Sequence, residues 1–413
     1  MMKGIIKREL ENDVIKWINS RHIIAIRGTR QSGKTTFLKR IAEILQERKV
    51  GRNKIHIISF EDDIEKDKFE SSPIQYINYY RGDDKSKHFF LLDEVQYVKN
   101  AGKLLKLIYD EVDNIKVFIT GSSTLDLNEV SSYLVGRVLL FEMYPFSFLE
   151  FLRAKDDRML KYYQSRAINL KKPVLKKDKS IFLTELNAYL KEYITYGGYP
   201  AIIMELNIEK KKVLLKNIYL TYIEKDIVKI YGIRYKQRIS DLIRHLASIN
   251  AGIINYNELS GLTGMYDKEI KEILSILEDT YIIKLVRPFH KNLTTELRKN
   301  PKIYFIDTGL RNFITGRFEF NDEEYGKLLE NYVLGKLRSD KVNYWRTTAK
   351  AEVDFISAEK MPVEIKMQPK ITRSFRSFIE SYKPQTAFLA NLNTYDKAKM
   401  GTTTIFFVPL ALL

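Results

Sequence analysis

The sequence predicts an α/β protein of two or three domains, and three observations lead to that prediction. The chain has 413 residues, more than one ordinary domain contains. Its composition, 45% hydrophobic and 29% charged, is typical of globular chains. Over residues 1–150, short apolar runs alternate with helical patterns, which indicates a parallel sheet with helices on both faces.

The strands of this sheet are predicted by four apolar runs, at residues 23–26, 55–60, 89–92 and 117–120. A domain boundary is expected near Pro145. From there to about residue 235, long amphipathic stretches with basic interruptions predict helices and exposed loops. The basic interruptions are Lys171, Lys172, Lys176 and Lys177.

The remainder of the chain divides into two further patterns. Three helices and a two-stranded ribbon, which together describe a winged helix, are predicted at residues 238–249, 256–262, 267–277, 281–286 and 302–306. From Tyr325 a helical pattern is followed by strand patterns at residues 343–345, 353–356 and 362–365. This last segment is predicted to be a separate α/β unit.

Charge and composition restrict the partners and the chemistry. The net charge of +17 favours a polyanion such as DNA, although a lysine-rich thermophile proteome would give the same excess. With no cysteine and five histidines, a metal is expected on carboxylates. No apolar run has the length of a membrane span, and MMKGIIKREL lacks an apolar signal core. A cytoplasmic protein without a membrane partner is therefore expected.

Residues 28–35 match G-x-x-x-x-G-K-[ST] directly after a predicted strand and before a predicted helix at residues 37–45. Glycines let such a loop turn its amide hydrogens toward phosphates. Lys34 is predicted to neutralise the β and γ phosphates, and Thr35 to offer its hydroxyl to Mg²⁺. The predicted nucleotide contacts are Gly28, Thr29, Arg30, Gln31, Ser32, Gly33, Lys34, Thr35 and Thr36.

Later motifs supply the groups that such a loop needs. Asp93 ends an apolar strand and is predicted to act on the water shell of the Mg²⁺, while Glu94 polarises the attacking water. Ser122, after the fourth strand, could sense the γ-phosphate. Arg137 lies in a turn before an apolar strand. It could act on phosphate in its own subunit or in a neighbouring subunit of a homo-oligomer, or form a surface salt bridge.

At this point the chain resembles a known family. GTRQSGKTT, FFLLDEVQ, ITGSS, YLVGR and YPFSFLEF are similar to archaeal and bacterial AAA-superfamily ATPases with a C-terminal domain of restriction-endonuclease-like type. The resemblance continues through YGGYPA at residues 196–201 and FIDTGL at residues 305–310. It implies an ATPase core, a helical lid, a winged helix and a nuclease-like domain, with ATP and Mg²⁺ as ligands. No N-K-x-D motif is present, which favours adenine and leaves GTP as an alternative.

The C-terminal segment carries a second constellation of charged residues. Asp354 lies in an apolar strand, where a lone charge needs compensation, and Glu364 and Lys366 lie two apart on one strand face. Asp354, Glu364 and the Ile365 carbonyl could hold Mg²⁺ or Mn²⁺ while Lys366 activates water. With Glu330 on the preceding helix, this set resembles the PD-(D/E)xK nuclease site, although Val353 replaces its proline.

Several alternatives stay open at this stage. The constellation could be an edge-strand ion pair of Asp354 with Lys366, with solvated glutamates. The winged helix could bind DNA through its ribbon or only pack domains together; the candidate phosphate contacts are Arg287, His290, Lys291, Arg298 and Lys299.

The predicted domains are 1–145, 146–235, 236–315 and 325–413. The predicted function is a Mg²⁺-dependent ATPase coupled to DNA binding, with a C-terminal deoxyribonuclease. The alternatives are a nucleotide-controlled switch or scaffold with a non-catalytic nuclease-like domain, and an ATPase acting on a protein partner.

Overall fold

The computed structural model describes residues 5–121, 130, 132–174, 181–221, 236–289, 299–337, 341–357 and 359–413. The chain folds into two compact units. The first contains residues 1–146 and 279–281, and the second contains residues 147–278 and 282–413. Within the described ranges, no helix is long and apolar enough to span a membrane.

The first unit is built on a parallel sheet of five strands in the order β2-β3-β4-β1-β5. The strands are β1 Ile23–Gly28, β2 Ile55–Ser59, β3 His88–Asp93, β4 Ile115–Gly121 and β5 Val138–Met143. The helices are Glu11–Ile15, Lys34–Glu47, Asp63–Ser71, Pro73–Arg81 and Ala101–Glu111. The four predicted strands are confirmed, and β5 is the apolar strand that was expected after Arg137.

Helices cover both faces of this sheet because successive strand residues point to opposite sides. Ile24 of β1 packs in one core with Phe37 of the helix that follows β1. Its neighbour Ala25 packs in a second core with Leu105 of the helix that precedes β4. Burial on both faces explains why these strands are continuous apolar runs in the sequence.

The second unit begins with helices, as its amphipathic stretches predict. These helices are Phe148–Lys155, Asp157–Arg166, Ile181–Tyr196, Pro200–Met204 and Ile208–Thr221. Lys176 and Lys177 lie outside the described residues.

Three helices and an antiparallel ribbon follow, close to the predicted ranges. They are Lys236–Ser248, Tyr256–Thr263, Asp267–Asp279, β6 Ile283–Val286 and β7 Lys302–Phe305. Leu242, Leu259, Ile273 and Ile303 from these elements are buried in one core. The elements are confirmed, and the winged-helix designation stays a prediction.

A mixed sheet of six strands in the order β12-β13-β11-β10-β9-β8 forms the C-terminal part. Its strands are β8 Asn343–Arg346, β9 Glu352–Ile356, β10 Pro362–Ile365, β11 Thr386–Asn391, β12 Asp396–Met400 and β13 Thr403–Pro409. The accompanying helices are Thr308–Thr315, Asp322–Lys336 and Arg373–Tyr382. β9 and β10 both lie inside the sheet, with a paired strand on each side.

Two of the sequence motifs meet in the second unit through Asp307. Its Oδ2 accepts a hydrogen bond from the Gly198 amide (2.7 Å), and its Oδ1 accepts one from the Leu310 amide (2.8 Å), which caps the helix Thr308–Thr315. A Cβ on Gly309 would lie 2.0 Å from the Tyr196 carbonyl oxygen. The close approach requires glycine there, so packing between the two motifs accounts for Gly309.

Candidate nucleotide site and a buried carboxylate cluster

The loop of residues 28–33 joins β1 to the helix Lys34–Glu47 at the carboxyl-terminal edge of the parallel sheet. A Cβ on Gly28 would lie 1.9 Å from the Met143 carbonyl oxygen of β5, so only glycine fits. Gly33 has a left-handed φ of 92° and precedes the first helical turn. The predicted contacts Thr29, Arg30, Gln31 and Ser32 all lie in this loop.

The side chains that follow the loop are one buried lysine and two exposed threonines. The Lys34 ammonium is buried and hydrogen-bonded to the carbonyl oxygens of Gly28 (3.2 Å) and Thr29 (3.0 Å), which holds it inside the loop. Thr35 and Thr36 are exposed in the first helical turn. Their hydroxyls are accessible at the positive end of the helix.

The acidic pair lies at the same edge of the sheet and is bound to the neighbouring strand. β4 lies between β1 and β3, and its Thr120 hydroxyl donates to Asp93 Oδ1 and accepts from the Glu94 amide (3.0 Å). Asp93 is 4% exposed. One threonine thus fixes both acidic residues beside the loop. Thr35 and Asp93 both supply oxygen atoms at this edge of the sheet, the kind of ligand that Mg²⁺ prefers.

Glu94 has an unusual backbone conformation for a non-glycine residue. Its φ of 57° lies in the left-handed region, and Gln96 Nε2 donates a hydrogen bond to its Oε2. Such conformations concentrate at functional sites, where the surrounding structure maintains them. Gln96 was not predicted, because nothing in its local sequence shows that it turns back toward Glu94.

Arg137 lies at the opposite edge of the sheet from the loop. β5 starts at the next residue and runs parallel to β1, and the Arg137 carbonyl accepts from the Ile23 amide (2.8 Å) at the start of β1. Its guanidinium bonds Asp110 Oδ1 (2.9 Å). This position corrects the prediction that it acts on phosphate in its own subunit. Two interpretations of Arg137 remain, a surface ion pair and an action on phosphate in a neighbouring subunit. Ser122 lies outside the described residues.

The C-terminal constellation comes together in the second unit, with Asp354 and Glu364 buried and Lys366 partly exposed. Asp354 Oδ2 accepts from the Ile365 amide (2.7 Å), which ties β9 to the end of β10. Lys366 Nζ lies 3.1 Å from Glu364 Oε1, so both side chains share a face as predicted. Glu364 is 1% exposed, and β10 is not an edge strand. The alternative of an edge-strand ion pair with solvated glutamates is therefore wrong.

The electrostatics of this cluster show an excess of negative charge. Burial and the nearby charge of Asp354 raise the pKa of Glu330 and that of Glu364 to about 8. Glu364 Oε2 is buried and has no hydrogen-bond partner among the described residues. A divalent cation held by Asp354 and Glu364 would supply what this oxygen lacks. The described residues contain no group of three or more acidic or histidine side chains placed to hold a metal.

Two further residues of this cluster come from the ribbon strand β7. Lys302 is 3% exposed, with Nζ 2.5 Å from Glu352 Oε1 and 3.5 Å from Glu330 Oε2. The Tyr304 hydroxyl also donates to Glu330 Oε2 (3.3 Å). Neither residue was predicted. Lys302 could have been found from the sequence, because it starts an apolar strand, and a charged residue in such a strand needs a compensating partner. The same argument selected Asp354.

A polar cavity of about 710 Å³ lies between the helix Asp267–Asp279 and the ribbon. Its basic lining residues are Lys271, Arg287 and Lys299, and its acidic ones are Asp267 and Glu278. Two of the five predicted phosphate contacts therefore line this cavity. The other three, His290, Lys291 and Arg298, lie outside the described residues.

Comparison with known proteins matches the two units to families. Residues 20–152 match an AAA domain, and residues 187–321 and 325–413 match two domains of unknown function, DUF8612 and DUF4143. With the loop, the acidic pair and the parallel sheet, the first match identifies the first unit as an AAA domain of P-loop type. The chain is 30% identical over 344 residues to the uncharacterized protein MJ1544 of Methanocaldococcus jannaschii, covering 81% of this chain and 69% of that one. It belongs to the same family as MJ1544.

Other similarities are more distant. An uncharacterized protein of Haemophilus influenzae is 27% identical over 367 residues, covering 86% of this chain and 85% of that one. Among solved structures, domain III of the replication initiation protein DnaA from Thermotoga maritima is 15% identical with a TM-score of 0.29, covering 52% of this chain and 94% of that one. C. elegans PCH-2 is 17% identical with a TM-score of 0.27, covering 48% and 62%.

Proposed function

We propose that this protein is a Mg²⁺-dependent ATPase that couples nucleotide turnover to DNA binding and cleaves DNA at its C-terminal cluster. The observation that supports cleavage best is the pair of buried carboxylates Asp354 and Glu364 beside Lys366, with one Glu364 oxygen that has no partner among the described residues. ATP is the proposed nucleotide, and GTP is the alternative. The proposed domains are 1–145, a helical lid at 146–235, a winged helix at 236–315 and a nuclease-like domain at 325–413.

At the nucleotide site, the loop amides and Lys34 would bind the phosphates. Thr35 and Asp93 would hold Mg²⁺, which supplies charge compensation between the β and γ phosphates. Glu94, held by Gln96 and by the Thr120 hydroxyl, would orient and polarise the attacking water. Arg137 would act in a neighbouring subunit of a homo-oligomer.

At the C-terminal cluster, Asp354, Glu364 and the Ile365 carbonyl would hold Mg²⁺ or Mn²⁺, which supplies Lewis-acid activation of the phosphodiester. Lys366, bound to Glu364, would position or deprotonate the attacking water. Glu330 would lie beside these groups, where it forms an ion pair with Lys302 and accepts a hydrogen bond from the Tyr304 hydroxyl. The cavity with Lys271, Arg287 and Lys299 would contact the DNA backbone, in line with the net charge of +17.

The second candidate is a nucleotide-controlled switch or scaffold whose nuclease-like domain binds DNA or protein without cleavage. The observation that favours it is the lack, among the described residues, of three acidic or histidine side chains placed to hold a metal. A non-catalytic domain could retain two carboxylates and a lysine only for packing.

One assay separates the two candidates. Labelled single-stranded, duplex and branched DNA would be incubated with the protein, with and without Mg²⁺ or Mn²⁺ and nucleotide. Metal-dependent cleavage of any form supports the nuclease. Nucleotide-dependent binding without cleavage in either metal would overturn the nuclease proposal and favour the switch.

A further inference from the structure

Arg8 precedes the sheet of the first unit and reaches the nucleotide loop through a buried side chain. It is 6% exposed. Its Nη1 donates to the Ser32 carbonyl oxygen (2.8 Å), and its Nη2 donates to the Tyr144 carbonyl oxygen (2.6 Å). The guanidinium also lies 4.7 Å from the centroid of the Phe146 ring. Arg8 lies outside the matched AAA region, which begins at residue 20.

The contact with Ser32 determines how one peptide group of the loop is oriented. The peptide bond is planar and trans, so the Ser32 carbonyl and the Gly33 amide hydrogen point in opposite directions. Because the carbonyl points at Arg8, the amide hydrogen of Gly33 points away from Arg8. Gly33 itself has the φ of 92° that only glycine adopts readily, so this peptide can rotate unless something holds it.

Burying a guanidinium is costly even when it is hydrogen-bonded. An apolar side chain of similar length would fill the same space without that cost. The guanidinium has two Nη donors, so it can hydrogen-bond to the loop and to the segment after β5 at the same time, which an apolar side chain cannot do. The contact is therefore better explained by orientation of the loop than by packing.

We propose that Arg8 is a positioning residue for phosphate binding, which holds the Ser32–Gly33 peptide so that the Gly33 amide hydrogen faces the nucleotide phosphates. This rests on the proposed phosphate role of residues 28–35. Arg8 acts through the backbone of the loop and does not itself contact the nucleotide. Its loss should weaken binding of every ligand that places a phosphate in the loop, whether or not the ligand carries a base.

The experiment compares Arg8→Met and Arg8→Lys with the parent in the full chain. Affinities for ATP, ADP and inorganic pyrophosphate are measured by calorimetry or competition, and melting temperatures are measured without nucleotide. Arg21→Met is the matched control. Arg21 also donates to a backbone carbonyl, that of Tyr109 (2.9 Å), but it lies at the opposite edge of the sheet.

Arg8→Met should weaken ATP, ADP and pyrophosphate binding by the same factor of roughly tenfold or more, the scale of one charge-assisted hydrogen bond. Arg8→Lys should be intermediate, because lysine keeps the charge but lacks the two separate Nη donors with which the guanidinium reaches the Ser32 and Tyr144 carbonyl oxygens. Arg21→Met should bind all three ligands like the parent. If Arg8→Met does not fold, the Arg8→Lys comparison decides alone.

Three results would overturn the proposal. Unchanged pyrophosphate affinity in Arg8→Met would show that Arg8 does not organise the phosphate loop. A lowered melting temperature with parent affinities, measured while the variant is folded, would assign Arg8 to packing only. Parent affinity in Arg8→Lys would show that the paired contact is unnecessary. If the parent itself binds neither nucleotide nor pyrophosphate, the phosphate role of the loop fails together with this proposal.

Discussion

The backbone of Glu94 is held in the left-handed region while its carboxylate is held by Gln96. These two constraints fix the direction of one acidic side chain at the edge of the sheet where the nucleotide loop lies. A general base needs this kind of placement before its pKa matters. The geometry thus supports assigning the water-polarising role to Glu94 and not to Asp93, because Asp93 is buried whereas Glu94 is partly exposed.

Glu94→Gln is expected to retain ATP affinity and to slow hydrolysis by roughly 10² or more, because the amide keeps the shape but loses the base. Turnover is measured by phosphate release, and affinity by nucleotide titration. Lys34→Ala is the contrasting variant and should lose affinity, since its ammonium lies inside the loop. Hydrolysis by Glu94→Gln at the parent rate would refute the assignment.

Asp354→Ala should abolish DNA cleavage and leave ATP hydrolysis near the parent value, because the two sites are built in different units and share no residue. Lys366→Ala should also lose cleavage but should still bind Mn²⁺ in a calorimetric titration, since the lysine serves the water and not the ion. Asp396→Ala, on the exposed part of β12, is the control. Cleavage by Asp354→Ala at the parent rate would exclude the metal role.

Among the elements, the central strand β4 carries a charge where none is expected. Lys116 is 0% exposed and donates to the carbonyl oxygens of Ser20 (3.1 Å) and His22 (2.6 Å). Burial, together with the charge of Lys87, lowers the pKa of Lys116 to about 7. Its protonated form is therefore disfavoured in the folded protein.

This lowered pKa predicts how stability depends on pH. Between pH 7 and about 10.5 the unfolded chain holds a proton on Lys116 that the folded chain does not, so folding becomes more favourable as pH rises. Lys116→Met removes this dependence. The free energy of unfolding of each protein is measured in urea at pH 6, 8 and 9.5. The parent's value minus that of Lys116→Met should rise by up to about 1.4 kcal/mol per pH unit above pH 7. A difference that stays constant with pH would contradict this.

The elements also show what the sequence could and could not predict. The strands of the first sheet were predicted well because burial on both faces makes them continuous apolar runs. β11 to β13 were not predicted. The contact of Thr120 with Asp93 depends on which strands are neighbours in the sheet. The ion pair of Lys302 with Glu330 joins residues that lie 28 positions apart in the sequence. Local patterns carry no information about such pairings.

At the scale of the whole molecule, the nucleotide loop and Arg137 lie at opposite edges of one sheet. A subunit with the nucleotide loop at one edge of its sheet and Arg137 at the opposite edge suits head-to-tail association of identical subunits, in which the arginine of one subunit would meet the loop of the next. The ion pair with Asp110 would then have to give way in an assembled form.

Mixing two inactive variants tests this arrangement. Arg137→Ala and Glu94→Gln should each hydrolyse ATP slowly, and a mixture should recover part of the activity, because some interfaces then combine an intact Arg137 with an intact Glu94. Phosphate release is measured across mixing ratios, with Arg21→Met mixed with Glu94→Gln as the control. If Arg137→Ala alone is fully active, the arginine is only a surface ion-pair partner.

The participation of β7 in the carboxylate cluster has a consequence for dissecting this chain. The border between the two C-terminal matches falls at residues 321–325, between Lys302 and Glu330. A fragment cut at that border would carry all the acidic residues but neither the lysine nor the tyrosine that bind Glu330. The two regions are therefore chemically interdependent, and inactivity of the isolated C-terminal fragment would say nothing about the activity of the intact chain.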